Sequence, residues 1–97
     1  MAPSPVTVRD AEGVRTLTVD RPERLNALDR QTLEALDAEF AAAAADASVR
    51  VVVLTGAGPK AFVAGADIAE MNQLDAIAAR EFSLLGQRLM RRIERMP

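Results

Sequence analysis

Val51-Val-Val-Leu-Thr-Gly-Ala-Gly-Pro-Lys-Ala-Phe-Val-Ala-Gly-Ala-Asp-Ile-Ala-Glu-Met71 is the stretch from which the rest of the chain is read. Val49 to Leu54 are nearly all apolar and β-branched, the pattern of a buried parallel strand. Thr55 to Lys60 make a glycine loop, and Phe62 to Asp67 lead into a short helix. Asp67-x-x-Glu70 resembles a capping box with Asp in place of Ser or Thr. Gly65 lets the backbone turn sharply and approach a ligand. The amides after it, at Ala66 and Asp67, stand at a helix N-terminus and carry partial positive charge. That is chemistry suited to a developing oxyanion. An ordinary strand-to-helix turn capped by Asp67 fits the same residues, and on these residues alone both readings stand.

Two phosphate loops compete for the glycines. Gly56-x-Gly58-x-x-Ala61 matches the dinucleotide-binding variant, which should open a helix at once. Here Phe62-Val63 look strand-like and a second glycine turn, at Gly65, intervenes. The nucleoside triphosphate P-loop does not fit, because Lys60 lacks the glycine before it and the Ser or Thr after it.

Upstream, Val6-Thr-Val8 and Leu17-Thr-Val19 alternate around a turn cluster, Asp10 to Gly13, and predict a β-hairpin. Pro22 ends the second strand, and Asp29 is placed to cap a helix. That helix carries a stripe at Leu33, Leu36 and Phe40 and continues through Ala41 to Ala45. Downstream, Asp75 caps a longer helix with a stripe at Ala78, Phe82, Leu85, Leu89, Ile93 and Met96. Arg88, Arg91, Arg92 and Arg95 crowd its end. They are cations at the negative pole of a helix dipole, or else a phosphate patch. Strand and helix alternate, which predicts an α/β architecture.

The 97 residues carry a net charge of −2, against a general nucleic-acid binder. With no Cys and no His, disulfides, thiolate ligands, His-based acid–base chemistry and the common zinc sites are excluded. Met1 to Pro5 are not a signal peptide, and the longest apolar stretch, Phe40 to Ala45, is too short to span a bilayer. A cytoplasmic chain without membrane or metal partners is the expectation.

Three segments in register carry a resemblance: Arg21-Pro-Glu-Arg-Leu-Asn-Ala-Leu28, Val49 to Gly56, and Phe62 to Met71. Together they resemble the crotonase superfamily, the enoyl-CoA hydratase/isomerase family, over almost the full length. The resemblance implies the N-terminal part of a crotonase-like ββα spiral, truncated, with residues 1–97 forming part of one domain and the C-terminal part absent. It implies acyl-CoA thioesters as substrates, with coenzyme A as part of the substrate and no separate cofactor. The amide of Ala66 corresponds to the first oxyanion donor. Ala64, Gly65 and Ile68 correspond to CoA contacts, and Arg24 and Ala27 lie where the family's N-A-L segment borders CoA. Asp67, among the residues that border CoA, corresponds to a helix cap, with a direct catalytic role as the alternative. Arg24 is either a phosphate contact or a solvated charge. Full-length relatives are expected to be homo-oligomers, trimers or hexamers. The second donor and the water-activating glutamates are expected after Pro97, and Glu70 and Glu81 match neither. The implied parent reaction is hydration of 2,3-enoyl-CoA, with isomerase and other crotonase-type reactions as alternatives. A truncated, non-catalytic CoA-binding or chain-pairing module is the other reading.

Overall fold

The computed structural model describes residues 4–58, 65 and 72–96. The hairpin is present: β1 (Val6–Ala11) pairs antiparallel with β2 (Val14–Val19). Its turn is tighter than the sequence pattern predicts. Only Glu12 and Gly13 lie outside the strands, with φ of +51° and +82°, as a two-residue hairpin loop matched to strand twist requires. Asp10 therefore belongs to β1, where it faces Arg15 and accepts two hydrogen bonds from its guanidinium, at 2.8 and 3.0 Å.

After β2 the chain passes through a loop to α1 (Arg30–Ala45). Asp29 caps this helix by accepting from the Thr32 amide at 2.8 Å. The predicted stripe is the buried face: Leu33, Leu36 and Phe40 are all under 4% exposed. The helix returns the chain to β3 (Val51–Gly56), which pairs parallel with β2 from Val14↔Val51 to Val19↔Gly56. The sheet order is β1-β2-β3, so β2 is central, and its Leu17 and Val19 are fully buried.

The parallel pairing of β3 agrees with its composition, but the strand differs from expectation in two ways. It starts at Val51 and runs to Gly56, because the pairing with β2 continues to Val19. It is also not buried on both faces: Val51 is 52% and Val53 42% exposed, while Val52 and Leu54 pack on the core. Among the described residues β3 is an edge strand with one uncovered face.

Asp75 accepts from the Ala78 amide at 2.8 Å and caps α2 (Ala76–Arg95). Leu89 is fully buried, and Phe82, Leu85, Ile93 and Met96 pack beside it against the core cluster. Fully burying side chains such as Leu17, Leu36 and Leu89 contributes about 1.5–3 kcal/mol each. At the basic end, Arg92 holds Asp37 of α1 at 2.8 Å, whereas Arg88, Arg91 and Arg95 are exposed. Among the described residues no helix is long and apolar enough to cross a membrane, and no cluster of metal-ligating side chains occurs.

Candidate functional site

Two loops leave neighbouring parallel strands at their C-terminal ends, the general position for ligands in open α/β sheets. The first, from Asp20 to Asp29, starts with a 3₁₀ turn at Pro22–Arg24. Proline fixes the helical φ at its start, and the Leu25 amide closes it on the Pro22 carbonyl at 3.1 Å. Leu25 and Asn26 then take left-handed conformations, with φ of +54° and +57°. Asn tolerates this region, whereas Leu does not, so Leu25 stores strain of about 1–2 kcal/mol.

Asn26 is 1% exposed and ties the two loops together. Its Oδ1 accepts from the Arg21 amide at 2.8 Å, and its Nδ2 donates to the carbonyl of Ala57, the residue after β3, at 2.8 Å. The Ala57 amide in turn donates to Val19 O at 2.8 Å. The Arg21 guanidinium donates to the Ala27 carbonyl and lies 3.5 Å from Asp29. The helix cap and the loop thus share one polar cluster.

The same loop reaches the glycine of the A-G-A-D signature. The Leu28 amide donates to the Gly65 carbonyl at 2.6 Å. Gly65 has φ +115°, which only glycine adopts readily, and among the described residues a side chain there would meet nothing within 4 Å. Backbone conformation is enough to require glycine at this point. Gly58 differs: with φ +83°, a Cβ would also lie 3.2 Å from Pro22 Cβ. Gly56 is still within β3, paired with Val19. These two glycines serve the strand end and the contact between loops.

Of the residues singled out in the sequence, Arg24 stands exposed on the 3₁₀ turn and Ala27 is half-buried beside Leu28. Gly65 is exposed and held by Leu28. Ala64, Ala66, Asp67, Ile68 and the Glu70 partner of the capping box lie outside the described residues. Glu81 lies on the exposed face of α2, 3.9 Å from Arg30 in a surface ion pair. Arg21, Asn26 and Leu28 also form the site, although the sequence pattern assigns them no site role. The available signal was an Asn two residues before the end of R-P-x-x-x-N-A-L, where a left-handed turn needs a residue with a short polar side chain. Leu28 also lines an apolar groove of about 530 Å³ with Leu33, Phe82, Gly86 and Met90.

The ionisable groups with displaced pKa values lie at the other end of the sheet. Asp10 is held below its usual 3.8 chiefly by the hydrogen bond from Arg15, and Arg15 is raised chiefly by the same bond. Asp46 is lowered chiefly by hydrogen bonds from the Ser48 hydroxyl and amide. All three tie β1, β2 and the end of α1 together, and so they are structural.

A family model described as enoyl-CoA hydratase/isomerase matches residues 9–97. The chain is 44% identical over 88 residues to the short-chain-enoyl-CoA hydratase of Clostridium acetobutylicum, covering 90% of this chain and 34% of that protein. It is 42% identical over 96 residues to the crotonyl-CoA hydratase of Syntrophomonas wolfei, covering 99% of this chain and 37% of the relative. The crystal structure of enoyl-CoA hydratase from Bacillus anthracis superposes with a TM-score of 0.91 at 32% identity, covering 96% of this chain and 36% of that one. The chain therefore spans about a third of the length of the relatives it matches. By its motifs, its fold and its matched length, the chain belongs to the enoyl-CoA hydratase/isomerase family and corresponds to the N-terminal portion of the crotonase fold.

Proposed function

We propose that this chain supplies the thioester-recognising part of an enoyl-CoA hydratase site. The parent reaction adds water across a 2,3-double bond conjugated to a thioester. Oxygen attacks C3, charge develops on the thioester oxygen, and a proton is delivered to C2. The observation that carries the reading is the hydrogen bond from Leu28 N–H to Gly65 O. In a planar trans peptide the N–H points opposite to the C=O, so a bond that fixes the oxygen also fixes the direction of the amide that follows. That amide belongs to Ala66, and in this reading it donates to the thioester oxygen. Strain at Leu25, three residues before Leu28, agrees with a functional loop. The groove beginning at Leu28 is the path for the acyl chain, while Arg24, Ala27, Ala64, Asp67 and Ile68 border the CoA moiety.

The 97 residues alone are proposed to turn over substrate negligibly. Removing one oxyanion donor costs about 2.7–4 kcal/mol, and removing the general acid–base groups costs a further ~10²–10⁴-fold in rate. Glu81 offers no replacement, since it pairs with Arg30 at the surface, outside the groove lining. Hydration of crotonyl-CoA by the 97-residue chain tests this: a rate near that of a long relative defeats the proposal. A second reading, a non-catalytic module that pairs with another chain, is favoured by the face of β3 at Val51 and Val53, which is uncovered among the described residues. Light scattering separates the two: a monomer at working concentrations counts against pairing.

A further inference from the structure

We infer that Asn26 is a positioning residue for the thioester-binding peptide, an inference that rests on the proposed acyl-CoA reading. Its side chain is buried, and it makes the cross-loop bond that fixes the first loop to the end of β3. Leu28, at the end of the same motif, then holds the carbonyl of the Gly65 peptide. Without the bond from Nδ2 to Ala57, the loop keeps its tether to Arg21 but loses this tether to the end of β3. Leu28 then no longer holds the Gly65 carbonyl, and the orientation that the proposed reading requires of that peptide is lost. A left-handed backbone explains why the residue is Asn, but it does not explain two side-chain bonds in opposite directions, one accepted and one donated.

Two replacements separate these roles. Asn26→Gly keeps the backbone freedom and loses both bonds, whereas Asn26→Asp keeps the acceptor for Arg21 and loses the donor to Ala57. Hydrogen exchange of the Leu28 amide in the unliganded 97-residue chain, taken relative to the Leu17 amide in β2, is expected to speed up at least tenfold in both. Leu89→Val, which loosens the core away from the loop, is expected to leave that ratio unchanged. An unchanged ratio in the Asn26 variants overturns the inference. Should neither variant fold, the unsubstituted chain decides. The Asn26 side-chain amide protons are then expected to exchange at least tenfold more slowly than those of exposed Gln31, and equal rates overturn the inference. With a conjugated dienoyl-CoA bound, hydrogen bonding to the thioester oxygen red-shifts its absorption. Asn26→Asp, held at a dienoyl-CoA concentration that saturates it, is expected to lose that shift, and retention of the full shift overturns the positioning role. An unsubstituted chain that gives no red shift removes the acyl-CoA reading instead, and the exchange ratio still decides on Asn26.

Discussion

Replacing Asp29 with Ala should destabilise the chain by about 3 kcal/mol, and most of that loss should pass through Thr32. Asp29 Oδ1 accepts both the Thr32 amide at 2.8 Å and the Thr32 hydroxyl at 2.5 Å. Losing the helix cap costs about 1 kcal/mol. Thr32 is fully buried, so its hydroxyl is then stranded without a partner, at about 1–3 kcal/mol. The ion pair with Arg21, at 3.5 Å, is lost in both backgrounds described next and so cancels from the difference between them. Thr32→Val removes the stranded hydroxyl while keeping a β-branched side chain, so in that background Asp29→Ala should cost only about 1 kcal/mol. Urea unfolding followed by far-ultraviolet circular dichroism measures all four corners of the cycle, which suits a chain with 0 Trp and 0 Tyr. Equal costs in the two backgrounds, or a loss under about 0.5 kcal/mol in the first, would refute the reasoning.

Gly65→Ala forces a φ of +115° on a residue with a Cβ and should cost about 1–3 kcal/mol in unfolding free energy. It should also weaken crotonyl-CoA binding at least tenfold by calorimetry. Asp10 and Asp46 have folded pKa values below 3.8, so the unfolded chain takes up protons first as pH falls. Their contribution is present above that value and is lost as pH drops through the lowered folded values. Asp46→Asn should therefore flatten the acid side of the unfolding midpoint plotted against pH. Gly86→Leu fills the groove beside Leu33 and should weaken a long-chain acyl-CoA more than crotonyl-CoA, as read by competitive binding.

Most of the architecture was legible because it rests on local rules. Asp29 and Asp75 cap the helices as their sequence positions imply, and the stripes at Leu33–Phe40 and Phe82–Met96 form the core faces. The exposure of β3 was not legible. A run of Val and Leu gives the strand, but whether a neighbour covers each face depends on the surroundings, and Val51 and Val53 are open among the described residues. Of the site, the resemblance gives Arg24, Ala27 and Gly65 as bordering CoA, and the bond from Leu28, the residue after Ala27, to Gly65 joins their two segments. The cross-loop role of Asn26 is hidden because only one of its two side-chain partners, Arg21, is local. The acceptor for Asn26 is 31 residues away, across a parallel strand pairing that spacing alone does not reveal.

The claim at the centre of this account is that a thioester oxygen meets the amide following Gly65. Backbone amide shifts on titrating the chain with crotonyl-CoA and, separately, with free CoA test it directly. The account predicts that residues 24–28 respond to both ligands and that the Ala66 amide moves downfield with the thioester alone. Shifts confined to Arg88–Arg95, or an Ala66 amide that responds to neither ligand, would contradict it.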